Sequence, residues 1–140
     1  MDIRQITPRY YVAPQISPED MSALREAGIT RILCNRPDGE VPPSHQAAAI
    51  RSAAESAGLG FAEQPLTHQT MTPEVIAQNR ALGVESGEVV LAYCASGTRS
   101  TIAWALGQAG EKDADEIIAA AKAGGYDLEN LRGVLQQPFV

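Results

Sequence analysis

The chain has 140 residues, 44% of them hydrophobic, and this length and content fit one ordinary core and a single domain over residues 1–140. The 11 basic and 17 acidic residues leave a net charge of −6 without a basic cluster, so nucleic acid and anionic membranes are not expected partners. The first residues lack a secretory pattern and no stretch reaches transmembrane length, so we expect a cytoplasmic protein without a disulfide framework.

The chain opens with a strand, a helix and a second strand. The stretch "RYYVA", residues 9–13, predicts a β-strand, since aromatic and β-branched residues favour extended backbone. Ser17, followed by Pro18, predicts the capped start of a helix that ends near Gly28. The stretch "TRILCN", residues 30–35, predicts the next strand, and the turn-rich "RPDGEVPPS" follows it.

A helix and a strand then alternate twice more. Ser44 predicts the start of an alanine-rich helix that ends near Gly58, and "GFAEQPL", residues 60–66, predicts a third strand. Thr72, followed by a proline, predicts the cap of the next helix. The run "EVVLAY", residues 88–93, is almost wholly apolar, as expected of a central strand that is buried on both faces.

Three helical segments complete the chain. Residues 100–109 predict the first, Asp113 with Glu116 predicts a capping box for the second, and Asp127 predicts the cap of the last. Strands that alternate with helices are typical of parallel sheets with helices on their faces. The sequence therefore predicts a single α/β domain with a short, mainly parallel sheet of about four strands, flanked by helices.

The stretch "YCASGTRS" joins the most apolar predicted strand to a helix. Ligand sites in open parallel sheets lie beyond the carboxyl ends of the strands, which is where Cys94 falls. Backbone amides that lead into a helix form an anion-binding nest, which favours a nucleophilic thiolate at Cys94. Arg99 adds a planar donor fork for an oxyanion, and the Ser100 hydroxyl could donate to the thiolate as it leaves. The expected amide donors are Ala95, Ser96, Gly97 and Thr98.

Together with the upstream stretch "ISPEDMSALREAGITRILCNRPDGE", this loop resembles the bacterial family of beta-lactamase-hydrolase-like phosphatase domains. The resemblance covers nearly the whole chain. It implies a fold like that of the dual-specificity protein phosphatases. Some relatives are described as sulfur transferases, so the resemblance indicates the fold more firmly than the reaction. The choice between a phosphatase and a sulfur transferase therefore depends on the sequence of the loop.

The spacing within the loop favours sulfur chemistry. Cysteine phosphatases carry Cys-x5-Arg, usually after a histidine, whereas here four residues separate Cys94 from Arg99 and Tyr93 precedes the cysteine. The shorter loop is similar to that of rhodaneses, which hold an extra sulfur on their cysteine. We therefore predict a sulfurtransferase that takes sulfur from a small anionic donor, such as thiosulfate or a persulfide, onto Cys94 and passes it to a thiol acceptor.

A phosphatase is the alternative, and it needs an acid to protonate the leaving alcohol. The loop after the third predicted strand contains no aspartate, which leaves Asp38 or His68 as the candidate acid. Asp38 also fits an ordinary Pro-Asp-Gly turn, and a lone loop histidine is often simply solvated. A third hypothesis is a module without catalysis that binds phosphate or sulfate, or senses reactive sulfur through Cys94.

The second cysteine, Cys34, lies in a predicted strand and is expected in the core. If it lay close to Cys94, it could instead resolve a persulfide or sulfenic acid as a disulfide. None of these reactions requires a cofactor. Two cysteines and two histidines that are well separated along the chain predict no metal site.

Overall fold

The computed structural model describes residues 1–140, and it contains one five-stranded sheet in the order β1-β2-β5-β3-β4. Strands β2, β5, β3 and β4 run parallel, and β1 pairs antiparallel with β2 at one edge. The four parallel strands put their carboxyl ends at the same edge, where the site lies. The strands are β1 (Arg4–Thr7), β2 (Tyr10–Ala13), β3 (Arg31–Cys34), β4 (Gly60–Glu63) and β5 (Val90–Tyr93).

Six helices cover the two faces of the sheet. They are α1 (Met21–Glu26), α2 (Ala47–Ser56), α3 (Pro73–Leu82), α4 (Thr98–Gln108), α5 (Ala114–Ala123) and α6 (Arg132–Leu135). Helices α1 and α2 pack on one face and α3 to α6 on the other, and each group encloses its own hydrophobic cluster. None of these helices has the length and apolarity needed to cross a membrane.

Strand β5 is central and contributes side chains to both clusters. Val90 and Ala92 belong to the cluster under α3 to α6, while Leu91 and Tyr93 belong to the cluster under α1 and α2. All four residues are buried, as the apolar run predicted for a strand that is covered on both faces. This strand fixes the start of the loop that carries Cys94.

The fold class is confirmed, and one strand is added to it. The prediction of about four strands missed β1, whose sequence "RQIT" is mainly polar. Only Ile6 of this strand is buried, because β1 lies at the edge of the sheet and pairs on one side only. An edge strand needs little hydrophobic sequence, so the pattern that identified the inner strands does not identify this one.

The helix starts were predicted with mixed success. Thr72 caps α3, since its hydroxyl accepts a hydrogen bond from the Val75 amide (3.3 Å). The prediction for Ser44 was wrong, because it lies in a short 3-10 turn and α2 begins later, at Ala47. The capping box at Asp113 was also wrong in detail, since that side chain makes no capping hydrogen bond to α5.

Candidate active site

The loop of residues 94–97 leaves β5 and runs directly into α4. Gly97 is the N-cap residue of α4 and has a φ of 92°, a left-handed conformation that glycine adopts without the penalty of a Cβ. Its carbonyl accepts hydrogen bonds from the backbone amide (3.0 Å) and the hydroxyl (2.7 Å) of Thr101. These two hydrogen bonds join the loop of residues 94–97 to the first turn of α4.

Cys94 lies beneath this loop. Its side chain has no exposed surface, and its Sγ accepts a hydrogen bond from the Gly97 amide at 3.1 Å. An amide that donates to sulfur at the start of a helix stabilises the thiolate relative to the thiol. Of the four expected amide donors, Gly97 is the one that donates to the Cys94 sulfur in the structure.

Arg99 lies in the first turn of α4, and its side chain is only 11% exposed. Its Nη1 donates to Glu40 Oε2 (2.8 Å) and to the Leu66 carbonyl (2.8 Å), and its Nη2 donates to Glu40 Oε1 (2.7 Å). The Glu40 carboxylate raises the pKa of Arg99, and the nearby Cys94 sulfur contributes in the same direction. Arg99 is therefore held mainly by its acidic partner Glu40.

Glu40 is a site residue that the sequence analysis missed. It ends a 3-10 turn after β3 and contacts two arginines, since Arg36 Nε also donates to Glu40 Oε1 at 3.2 Å. The Arg99 guanidinium lowers the pKa of Glu40, with a smaller contribution from Arg36, so the side chain is a carboxylate at neutral pH. A turn-rich stretch gives no periodic signal, and the contact with Arg99 spans 59 positions of the chain.

Ser100 is fully buried, and its hydroxyl donates to Asn35 Oδ1 (2.9 Å) rather than to the thiolate. The Asn35 amide in turn donates to the Gln64 carbonyl (2.8 Å) and to Asn79 Oδ1 (2.9 Å). This network joins the end of β3, helix α3 and the start of α4. Buried polar groups that all have partners fix one arrangement of the elements that carry them.

Asp38 and His68 occupy different places. The Asp38 carboxylate accepts a hydrogen bond from the Ala47 amide (2.8 Å) at the first residue of α2, and so it caps that helix in the place predicted for Ser44. Asp38 lines a separate surface cavity formed mainly by α2. His68, in contrast, lines the cavity that contains Arg99.

That cavity has a volume of about 460 Å³ and lies over the Cys94 loop. Its lining combines the Glu40 turn, the segment after β4 and the loop itself. The residues are Glu40, Thr67, His68, Gln69, Ala95, Ser96, Thr98 and Arg99. No three His, Cys, Asp or Glu side chains come together anywhere in the structure as a metal site.

Cys34 lies in the core under α1 and α2, where it is 1% exposed. Both cysteines are free. The Cys34 thiol donates to the Arg36 carbonyl (3.4 Å), and burial raises its pKa. In the sheet it pairs with Tyr93, which shares its cluster. These contacts are those of the core residue that the sequence indicated.

The fold and the loop define a class of protein. A parallel sheet whose central strand ends in a buried cysteine, with an anion-binding turn, an arginine and a helix directly after it, is typical of cysteine-phosphatase-like domains. Residues 2–111 match the family described as "Beta-lactamase hydrolase-like protein, phosphatase-like domain", and the chain belongs to that family. The family that the loop resembled is thereby confirmed.

Individual relatives agree with this assignment. A beta-lactamase hydrolase-like protein of Xylella fastidiosa is 32% identical over 131 residues, which are 91% of this chain and 30% of that protein. The chain thus spans less than a third of the length of this curated relative.

Solved structures support the fold. A Neisseria meningitidis protein provisionally assigned as a phosphatase is 36% identical with a TM-score of 0.84, and the match covers 96% of each chain. PTPMT1, solved with PI(5)P, has a TM-score of 0.74 at 14% identity, covering 97% of this chain and 93% of that one. The predicted likeness to cysteine phosphatases is confirmed, and with it the prediction of an enzyme domain of the phosphatase-like class.

Proposed function

We propose that the domain is a cysteine-dependent phosphatase that hydrolyses a phosphomonoester through a phosphocysteine intermediate. The proposal depends mainly on the arrangement of Cys94 under an amide turn whose residues, together with Arg99, line a cavity at the carboxyl edge of the sheet. The phosphatase-like family and the 36% identical Neisseria protein also support it. They favour phosphate over sulfur, which reverses the preference that the loop length alone suggests.

In the first step the Cys94 thiolate attacks phosphorus, an S–P bond forms and the ester P–O bond breaks. Arg99 and the loop amides bind the equatorial oxygens, where negative charge accumulates in the transition state. The leaving oxygen takes a proton from His68, the candidate acid that lines the cavity. In the second step water gives a proton back to His68 and breaks the S–P bond, which releases phosphate and regenerates the thiolate.

Hydrolysis of an aryl phosphate by the parent protein and by the Cys94→Ser variant tests this proposal. We expect phosphate release that is proportional to enzyme in the parent and a loss of at least about 10³-fold in the variant. A parent protein that releases no phosphate from aryl or alkyl monoesters would contradict the proposal. Equal rates in parent and variant would show that Cys94 is not the nucleophile.

Sulfur transfer is the second candidate, and one observation favours it. Cys94 is fully buried under a loop with four residues between cysteine and arginine, a geometry that suits one added sulfur atom. The intact mass after exposure to thiosulfate or glutathione persulfide tests it, with Cys94→Ser as the control. A gain of one sulfur in the parent only, transferable to a thiol and without phosphate release from esters, would favour this function over hydrolysis.

A further inference from the structure

The Arg99 guanidinium has five N–H groups, and the structure assigns three of them to the protein. Both hydrogens of Nη1 are used, one by Glu40 and one by the Leu66 carbonyl, and one hydrogen of Nη2 is used by Glu40. The remaining two are the Nε hydrogen and the second Nη2 hydrogen. They form one edge of the planar group, and two parallel donors on one edge match two oxygens of a tetrahedral oxyanion.

The contacts with Glu40 therefore determine which edge of the Arg99 guanidinium is available to bind an anion. Its two carboxylate oxygens bind the Nη1–Nη2 edge at 2.8 and 2.7 Å, which leaves the Nε–Nη2 edge without a carboxylate. Arg99 lies in the first turn of α4, and the N-cap residue of that helix, Gly97, donates its amide to Cys94 Sγ at 3.1 Å. A guanidinium that is held in one orientation loses little side-chain entropy when an anion binds.

A second arginine holds the carboxylate in turn. Arg36 Nε donates to Glu40 Oε1 (3.2 Å), and Arg36 Nη2 donates to the Glu40 backbone carbonyl (3.3 Å). Arg36 Nη1 donates to Gln15 Oε1 (3.2 Å), and Gln15 lies in the segment after β2. The chain of contacts runs from the segment after β2 through Arg36 and Glu40 to Arg99. With the Leu66 carbonyl from the segment after β4, three loops at the same sheet edge orient one guanidinium.

We infer that Glu40 is a positioning residue, which holds Arg99 so that its Nε–Nη2 edge binds two oxygens of a tetrahedral oxyanion above Cys94. This inference rests on the proposed function, because it assigns Arg99 to the phosphoryl group of the substrate. Glu40 itself does not touch the substrate. It acts by fixing the orientation of the Arg99 guanidinium. Because it binds the other edge of that group, it does not compete with the anion for the same N–H donors.

The test measures tungstate binding by calorimetry, because tungstate is a tetrahedral oxyanion and its binding does not require turnover. We expect Glu40→Gln to weaken tungstate binding by about tenfold or more, since an amide keeps only one of the two carboxylate acceptors. Glu85→Gln is the matched control, because Glu85 pairs with Arg80 (3.0 Å) outside the cavity. This control should bind tungstate as the parent does, and both variants should keep the melting temperature within a few degrees.

An Arg99→Lys background separates positioning from a general loss of structure. Lysine has no fork to orient, so Glu40→Gln should cause little further weakening there, and the two substitutions should be non-additive. Unchanged or tighter tungstate binding by Glu40→Gln in the Arg99 protein would overturn the inference. If parent protein releases phosphate but Glu40→Gln binds tungstate normally, only the positioning role fails. If the parent neither binds tungstate nor releases phosphate, both proposals fail.

Discussion

Asp38 was the first candidate for the catalytic acid in the sequence and His68 the second, and the structure places them in different cavities. His68 lines the cavity over the Cys94 loop, whereas the Asp38 carboxylate accepts the Ala47 amide hydrogen bond at the start of α2. A side chain that caps a helix contributes to stability, and one that faces the substrate can transfer a proton. The two substitutions should therefore change different properties.

We predict that His68→Gln slows hydrolysis of an alkyl phosphate by about 10²-fold, the contribution of a typical general acid. An aryl phosphate with an acidic leaving group, which departs without a proton, should lose much less. Asp38→Asn is the control, and it should retain the parent rate on both esters. Equal losses on both esters in His68→Gln would exclude the acid role, and a selective loss on the alkyl ester in Asp38→Asn would assign that role to Asp38.

The buried Cys34 thiol should make stability depend on pH. Burial raises its pKa in the folded protein, so below about pH 8.5 the thiol is protonated in both states and its contribution is constant. Above that pH the unfolded thiol ionises first, and stability falls as pH rises towards the folded pKa, by at most about 1.4 kcal/mol per pH unit. The direction follows because the folded state binds the proton more tightly.

This effect can be measured in the Cys94→Ser background, which removes the other thiol. Urea unfolding at pH 8 and pH 9.5, with and without Cys34→Ala, should show that the stability difference between the two proteins becomes smaller at the higher pH. A difference that does not change with pH would mean that Cys34 ionises equally well in the folded and unfolded states. The range from pH 8 to pH 9.5 lies below the ordinary pKa of tyrosine, about 10, so tyrosine ionisation contributes little to the difference.

At the scale of elements, the turn before α4 is confined by Tyr126. The Tyr126 hydroxyl donates to the Ser96 carbonyl (3.0 Å), and Arg4 lies over its ring at 5.8 Å from the centroid. A Cβ on Gly97 would overlap this hydroxyl, and the φ of 92° disfavours any other residue there. The segment after α5 and strand β1 thus shape the anion-binding turn from outside it.

We predict that Gly97→Ala lowers kcat/KM for an aryl phosphate by at least about tenfold, because the amide that donates to Cys94 shifts. Two causes contribute, the contact with Tyr126 and the strain of positive φ. Adding Tyr126→Ala removes only the first, so the double variant should recover part of the activity relative to Gly97→Ala. No recovery would assign the loss to backbone strain alone, and full activity in Gly97→Ala would contradict the role of the turn.

The buried central strand and one of the predicted helix caps were predictable from local sequence, and features defined by distant contacts were not. The apolar run of β5 and the Thr72 cap depend on local chemistry, which the sequence displays. Glu40 reaches Arg99 and Asn79 reaches Asn35 only after the sheet has assembled. Strand β1 is defined by its pairing with β2 rather than by its composition.

At the scale of the whole molecule, the sheet separates two hydrophobic clusters that share β5. Trp104 belongs to the cluster under α3 to α6, and Cys34 to the cluster under α1 and α2. The buried network of Asn35, Asn79 and Ser100 crosses from β3 to α3 and α4. Loss of either cluster would expose one face of β5, so neither is expected to persist alone.

We therefore predict that residues 1–140 unfold as one cooperative unit, as expected of a single domain of this size. Trp104 is the only tryptophan, so its fluorescence reports one cluster, and the reactivity of the Cys34 thiol in a Cys94→Ser variant reports the other. Urea unfolding followed by both probes should give the same midpoint and the same slope. Separate midpoints would mean that the two faces of the sheet unfold independently. The contacts of Glu40 with Arg99 would then have to be lost at the earlier transition, because they connect the turn that leads into α2 with α4, and these two helices pack on opposite faces of the sheet.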